Sequence, residues 1–258
     1  MDDRIALLRA LEPRNSGSAS YQAILEAAAG LFQQVPAAAI TLRDILSIAG
    51  VSNQTLYNYF PAGRDDVALV LQDRYRKAVL RDFSRNCRTL DWNSLAGASE
   101  VTRALSAALA RAIFAPLAEN PQRQLSLHQY LTAHRLGAMT SPFPQLEEAL
   151  AQEILARYGH AFPKQNLSRV VRLSVRSVLS AAEEALSPPQ VPLESMESSA
   201  RKLVRTLLEA GFAGDDPPSG SHGLLPCPPL SDGIVGAPIS PAKRETILAR
   251  MFKRKPRP

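Results

Sequence analysis

The chain has 258 residues, 45% of them hydrophobic and 21% charged, the composition of a globular protein large enough for one big core or two modest ones. It lacks the run of about 18 apolar residues that a membrane span needs, and its acidic start, MDDRIALLRALEPRNS, is unlike a secretory signal. Cys87 and Cys227 lie far apart with no CxxC pair, which excludes a disulfide framework or thiol metal site and leads us to expect a cytoplasmic protein with no membrane partner.

Residues 1–19 read as a polar extension with one short helical possibility through Ile5, Leu8 and Leu11, closed near Pro13. Residues 20–35 place Ile24, Ala27, Ala28, Leu31 and Phe32 at helical spacing, with Ser20 as the expected N-cap. After Pro36, Thr41 caps a second helix. Asp44 stands at its capping-box position, Ile45 and Ile48 point inward, and Gly50 ends it. Ser52 caps a third helix, NQTLYNYF, and Pro61-Ala62-Gly63 turns the chain into a long helix over 64–88. Further helices are expected near 97–115, 121–138, 143–159, 166–186 and 193–211, bounded by Pro116, Pro121, Pro142, Pro163 and Pro188-Pro189. No period-2 alternation is long enough for a strand, so the fold is all-α. From 212 to 258 the composition turns rich in Pro, Gly and Ser, as in a disordered tail, and ends in AKRETILARMFKRKPRP.

Charge follows this organisation. Residues 1–80 carry 8 basic and 8 acidic side chains and residues 81–210 carry 15 and 12. Residues 211–258 carry 7 and 4, with all 7 basic residues and 1 acid inside 241–258. The net +6 is therefore concentrated at the C-terminal end, and the high isoelectric point is a weak argument for a DNA-sized basic face.

The chemistry lies in AGVSNQTLYNYF, residues 49–60. Gly50 permits a left-handed backbone between two short helices, the local logic of a helix-turn-helix. With Val51, Leu56 and Phe60 inside, Asn53, Gln54, Thr55, Tyr57, Asn58 and Tyr59 point wholly or partly outward. Asn and Gln make bidentate hydrogen bonds to adenine, while Thr and Tyr hydroxyls suit phosphate oxygens.

Residues 24–71 resemble the N-terminal DNA-binding domain of the tetracycline-repressor (TetR/AcrR) family of bacterial transcriptional regulators. The matching elements are ILEAAAGLF in the first helix, TLRDI in the second, and AGVSNQTLYNYF. The resemblance implies phosphate or base contacts for Thr41 and Arg43, base-proximal positions for Asn53, Gln54, Asn58 and Tyr59, and phosphate contacts for Thr55 and Tyr57. Arg64 maps to the family's basic residue after the recognition helix if Gly63 is a one-residue insertion. It also implies domains at 20–63 (DNA-binding) and 64–211 (effector-binding and dimerisation). The last two helices would pair with their two-fold mates, which Val171, Val175, Val178, Leu179 and Ala182 and Met196, Leu203, Val204, Leu207 and Leu208 would suit, whereas a monomer would bury the same residues internally. An unidentified small-molecule effector would bind among residues 97–186, with Trp92, Phe114, Tyr130, His134, Met139 and Phe143 as candidate lining.

Other constellations have plainer explanations. Arg169, Arg172 and Arg176 share a helical face and read as a solvated surface with intrahelical pairs such as Glu183. The spacing of His128 and His134 does not suit a shared metal. No phosphate loop, nucleophile elbow or paired metal-ligand spacing occurs, so neither an enzyme nor a cofactor is expected. The expected function is that of a homodimeric, ligand-responsive repressor on a near-palindromic double-stranded operator. The alternative is a TetR-like scaffold acting through protein or membrane contacts of its basic tail.

Overall fold

A computed structural model describes Arg4, Leu7, Leu8, Glu12 and residues 15–95, 97–136, 143–158, 164–186 and 191–212. Among these residues there are helices and no strand, in agreement with the all-α expectation. In chain order they are α1 (Ala19–Gln34), α2 (Leu42–Ala49), α3 (Asn53–Tyr59), α4 (Arg64–Arg88), α5 (Ala98–Glu119), α6 (Pro121–Ala133), α7 (Pro144–Tyr158), α8 (Lys164–Ala185) and α9 (Leu193–Phe212). Short 3-10 turns lie at Ala37–Ala39 and Trp92–Ser94. The expected tail beyond Phe212, which ends α9, with Cys227, and the candidate Met139 lie outside the described residues.

Two apolar clusters organise these helices. The smaller joins Ile24, Leu25, Ala28 and Phe32 of α1 to Ile45 of α2, Leu56 of α3, Phe60, and Val67–Val70 of α4. Leu127, Tyr130 and Leu131 of α6 complete it, and Leu8 of the N-terminal extension is buried there as well. The larger cluster takes Tyr75, Val79, Phe83 and Cys87 from the far half of α4 and packs them with α5, α7, α8 and α9. α4 thus changes core halfway along its length, and α8 and α9 form the most extensive helix pair, with α9 also lying against α5.

Local chemistry sets the boundaries, with some departures from the pattern reading. α1 is capped by Ser18, not Ser20: the Tyr21 amide donates to Ser18 Oγ, and that hydroxyl is also fixed by Tyr59. Ile48 is 61% exposed; an eight-residue helix has one narrow inward stripe, which Ile45 fills. Pro116 does not bound α5 but is buried inside it, because the packing of Ile113, Phe114 and Leu117 on either side outweighs the one hydrogen bond it removes. α6 ends at Ala133, short of 138, where Arg135 takes a left-handed backbone with φ 55°.

α5 is long and apolar enough to cross a membrane by length and composition alone, but 67% of its apolar window is buried in this protein, as in a core helix. Burial also explains the free Cys87 thiol, pushed up to about 12 and therefore unreactive near neutrality.

Several tyrosines are held as neutral phenols. Burial raises Tyr75, whose hydroxyl donates to the Ile113 carbonyl at 3.1 Å, and Tyr158, whose hydroxyl donates to the Ala98 carbonyl at 2.9 Å. It also pushes Tyr130 up to about 12. A raised folded-state value means that the stability these groups contribute is intact below the ordinary phenol value of about 10 and is lost as pH climbs through the folded values. In an alkaline titration, tyrosinate absorbance from these three residues should emerge only together with loss of helical circular dichroism. Ionisation of all six tyrosines near pH 10 with the helix signal unchanged would contradict this burial.

Candidate nucleic-acid interface

The helix-turn-helix is built from three local devices. Thr41 and Asp44 form a reciprocal capping box at the start of α2. The Asp44 amide donates to Thr41 Oγ1 at 3.2 Å, and the Thr41 amide and hydroxyl donate to Asp44 Oδ2 at 3.0 and 2.6 Å. Those two bonds hold the Asp44 carboxyl below the usual carboxylate range. Gly50, at φ 64° and ψ 32°, supplies the left-handed stop, a conformation that a β-carbon disfavours. Ser52 then caps α3 by accepting from the Thr55 amide at 3.1 Å, and the two hydroxyl groups lie 2.9 Å apart.

With only seven residues, α3 holds its orientation through its neighbours rather than its own ladder. Leu56 and Phe60 are fully buried. The Phe60 ring stacks on Tyr21 of α1 at 5.1 Å, and Tyr59 meets the same Tyr21 edge-on at 5.8 Å. The Tyr59 hydroxyl lies 2.7 Å from Ser18 Oγ, at the cap of α1. These contacts leave Asn53, Gln54, Tyr57 and Asn58 exposed on α3, with Thr55 half-buried beside its cap. Thr41 and Arg43 are exposed at the start of α2.

The structure therefore brings Thr41, Arg43, Asn53, Gln54, Thr55, Tyr57 and Asn58 onto the accessible side of the two short helices, as amides, hydroxyls and one guanidinium. Tyr59 and Arg64 stand apart from them. Tyr59 is half-buried and engaged with α1. The Arg64 guanidinium donates from Nη1 to the Ile40 carbonyl and from Nε to the Tyr130 hydroxyl at 2.8 Å, and it lies 4.7 Å from the centre of the Tyr130 ring. Those contacts turn Arg64 into a tie between the start of α4, the segment before α2, and α6.

That tie is the part of the site that sequence reasoning missed. The Tyr130 hydroxyl, besides accepting from Arg64, donates to Asp65 Oδ1 at 2.6 Å. His134 stacks on the Tyr130 ring at 4.1 Å, with Nδ1 3.6 Å from the same carboxylate oxygen. Asp66 is anchored separately: its Oδ2 accepts from the Ala62 amide at 2.6 Å and its Oδ1 meets Arg4 Nε at 2.6 Å. Asp65 and Asp66 look unhelpful beside a DNA-reading helix when read from sequence. In the fold, each holds a partner that fixes α4 against its surroundings. Helical periodicity marks Tyr130 as apolar core but carries no signal for what its hydroxyl meets.

Of the other candidates, Phe114, Tyr130 and Phe143 are buried core. Trp92 lies under Arg157, 4.1 Å from the guanidinium carbon, and donates to the Cys87 carbonyl at 2.9 Å. Glu183 reaches across to His128 of α6 at 3.3 Å. A cleft of about 380 Å³ opens elsewhere, among Gln122 and Leu125 of α6, Ala185 and Leu186 at the end of α8, and Val191 and Leu193 before and in α9. Of the expected lining residues that are described, Trp92, Phe114, Tyr130, His134 and Phe143, none borders it.

Replacing Tyr130 by Phe keeps the ring and removes both hydroxyl bonds at this tie. It should cost about 1.5–3 kcal/mol, the range for hydrogen bonds to charged groups. Chemical denaturation should show a lower midpoint with an unchanged slope; an unaltered midpoint would show that the tie contributes nothing to stability.

Residues 24–69 match the sequence model described as bacterial regulatory proteins, tetR family. The crystal structure of a TetR transcriptional regulator from Rhodococcus sp. RHA1 is similar, with a TM-score of 0.44 and 20% identity over 74% of this chain and 96% of that chain. No curated protein matches the sequence. The matched residues run from α1 into the first half of α4 and so contain the capping box, the Gly50 turn and the exposed face of α3. The similarity to the tetR family thus lies in the segment that holds the helix-turn-helix.

Proposed function

We propose that the protein is a homodimeric, effector-responsive repressor that reads a near-palindromic operator through α3. The observation that carries this reading is the contrast across one short helix. Leu56 and the adjoining Phe60 are wholly buried, while Asn53, Gln54, Tyr57 and Asn58 are exposed hydrogen-bonding groups. Such a helix in a major groove presents amides to base edges and hydroxyls to phosphates.

Pairing through α8 and α9 is supported by Leu203, which is among the residues expected there, and by Leu173, which is not. Val171, Val175, Val178, Leu179, Ala182, Val204 and Leu208 are buried within the chain's own core. Leu173 and Leu203 remain 41% and 49% exposed. A short connection makes α8 and α9 an antiparallel hairpin, so these two leucines fall at a similar height along it, near mid-length. They offer the apolar centre of a four-helix contact with a second copy.

The effector reading draws on α6. Its first turns border the apolar cleft through Gln122 and Leu125, and its last turns carry Tyr130 against Arg64 and Asp65. A small, largely apolar ligand seated in the cleft would displace α6 and, through Tyr130, the start of α4. Coupling of this kind is typically worth about 1–3 kcal/mol.

Selection of bound sequences from a random duplex pool tests the central claim, and an inverted repeat should be recovered. Asn58→Ala should then relax preference at one position of each half-site, with a loss of about 1–3 kcal/mol in discrimination. Recovery of no motif would remove the sequence-specific reading. Leu203→Glu should shift sedimentation from dimer toward monomer and weaken operator binding, while the helical circular dichroism stays unchanged. A dimer untouched by that substitution would move the two-fold contact elsewhere.

A further inference from the structure

Both histidines among the described residues stand on α6, and each meets a carboxylate from a different element. His128, midway along the helix, sets Nε2 3.3 Å from Glu183 Oε1 of α8, with 11% and 25% of the two side chains exposed. His134, the cap residue at the end of the helix, sets Nδ1 3.6 Å from Asp65 Oδ1 of α4 and stacks its ring on Tyr130 at 4.1 Å. The first contact joins α6 to the body, whose larger core includes α8; the second joins it to the smaller core, which takes in the first half of α4. α6 thus bridges the two units with an imidazole–carboxylate contact to each. The chain's other histidines, His160 and His222, lie outside the described residues.

The groups around each ring determine what a proton does there. At His134 they are Asp65 and Arg64 of α4 and the Tyr130 hydroxyl. α1 meets this end of α6 through the Phe32 ring, edge-on to Tyr130 at 5.7 Å, and the exposed Arg135 follows on the same chain segment. Arg64 carries the like charge, but its donors are directed to the Ile40 carbonyl and the Tyr130 hydroxyl rather than to Asp65. Tyr130 stays neutral wherever histidine titrates, because burial pushes its phenol up to about 12. At 3.6 Å from Oδ1 a neutral imidazole is too far for a good hydrogen bond, whereas an imidazolium at that distance forms an ion pair. At His128 the facing charge is Glu183 of α8. Nδ1 of that ring is buried without a hydrogen-bond partner among the described residues, so a change in the ring's charge is felt at Glu183.

Histidine changes its charge between about pH 5 and 8. We propose that α6 is a proton-sensitive strut: charging His128 and His134 turns both contacts into ion pairs and clamps the helix between α8 and α4, while neutral rings leave it free to shift. An attraction that exists only while the ring is protonated is present on the acid side of that range and is lost as pH rises through it. This rests on the proposed reading of α6 as the link between the apolar cleft and α4. Leu125 and Leu186, which line the cleft, stand one helical turn from His128 and Glu183, so the clamp closes beside the ligand's seat. Acid conditions then oppose the displacement of α6 that an effector needs, and alkaline conditions ease it.

The test compares the full-length chain with a double variant, His128→Gln and His134→Gln, whose amides can still hydrogen-bond but cannot take up the charge. Hydrogen exchange read by mass spectrometry, corrected for the pH dependence of intrinsic exchange, gives the protection of residues 121–133. Between about pH 8 and about pH 5.5, across the histidine range, protection in the parent should rise. The expected gain is about threefold to tenfold, that of two partly exposed ion pairs, and the double variant should stay level. His134→Gln alone, at the more exposed of the two sites, should lose part of the rise and serves if the double variant loses helicity. An equal change in parent and variants, or no change in any, would overturn the proposal. A rise undiminished by His134→Gln would do so too, because the helix would then be held on one side only. Affinity for the selected operator over the same pH range separates the strut from the repressor reading, and it should vary more steeply in the parent than in the double variant. Responsive protection in a protein that selects no operator would uphold the strut and remove the repressor. Responsive protection with equal operator profiles would uphold the clamp and break the link from α6 to α3.

Discussion

The structure turns on how α4 is buried. A helix of 25 residues has to cover an apolar stripe along its whole length, and no single partner here is long enough to do so. Its first two turns belong to the core shared with α1, α2, α3 and α6, and its later turns to the core shared with α5, α7, α8 and α9. Each half is over-determined by a separate core, so the division between a DNA-reading unit and the body does not fall at a gap in the packing. It falls within one continuous helix. That continuity lets a change in the body reach α3 without any loop having to transmit it.

α6 reinforces the arrangement. Leu127, Tyr130 and Leu131 belong to the smaller core although the chain reaches them only after α5 has been built into the larger one. The polar end of Tyr130 falls between a guanidinium and a carboxylate of the first turn of α4. A phenol suits that place because it can accept from Arg64 and donate to Asp65 at once, which neither Phe nor a charged side chain could do. The same contacts account for Asp65, and the Ala62 amide and Arg4 account for Asp66, two acids at a position where a DNA-binding protein would be expected to avoid them.

Much of the fold was legible because short-range rules dominate it. The capping box at Thr41 and Asp44, the Gly50 stop, the Ser52 cap and the limits of α4 at 64 and 88 all follow from residues within one helical turn of each other. Failures occurred where the decision was tertiary. Ser18 and Ser20 are equally good caps on paper, and the choice of Ser18 goes with a tyrosine 41 residues away. Ile48 fits the inward stripe of α2, yet the helix is too short to bury both it and Ile45. Pro116 reads as a boundary unless the surrounding side chains are known to be buried. The apolar faces of α8 and α9 suit either an internal core or a partner, and pattern alone does not separate the residues that the chain buries itself, such as Val175 and Val204, from the exposed Leu203. At the interface, the outward amides follow from the positions of Leu56 and Phe60, whereas the fates of Tyr59 and Arg64 depend on Ser18 and Tyr130, which only the folded chain brings near.

The turn between α3 and α4 is unusually well pinned for three residues. The Gly63 amide donates to the Phe60 carbonyl at 2.7 Å, the Ala62 amide is held by Asp66, and Gly63 itself takes φ 64° and ψ −127°. With no slack at that joint, α3 is a short crank fixed to the end of a shaft. The shaft is about 37 Å long, so tilting α4 by about 5° around its far end would carry the crank about 3 Å sideways, roughly the rise of one base pair. In a two-fold assembly both cranks would move, and the distance between them would change by up to twice that amount. Sensitivity of this kind is a property of the joint's stiffness: a longer or looser turn at Gly63 would absorb the same tilt before it reached the amides of α3.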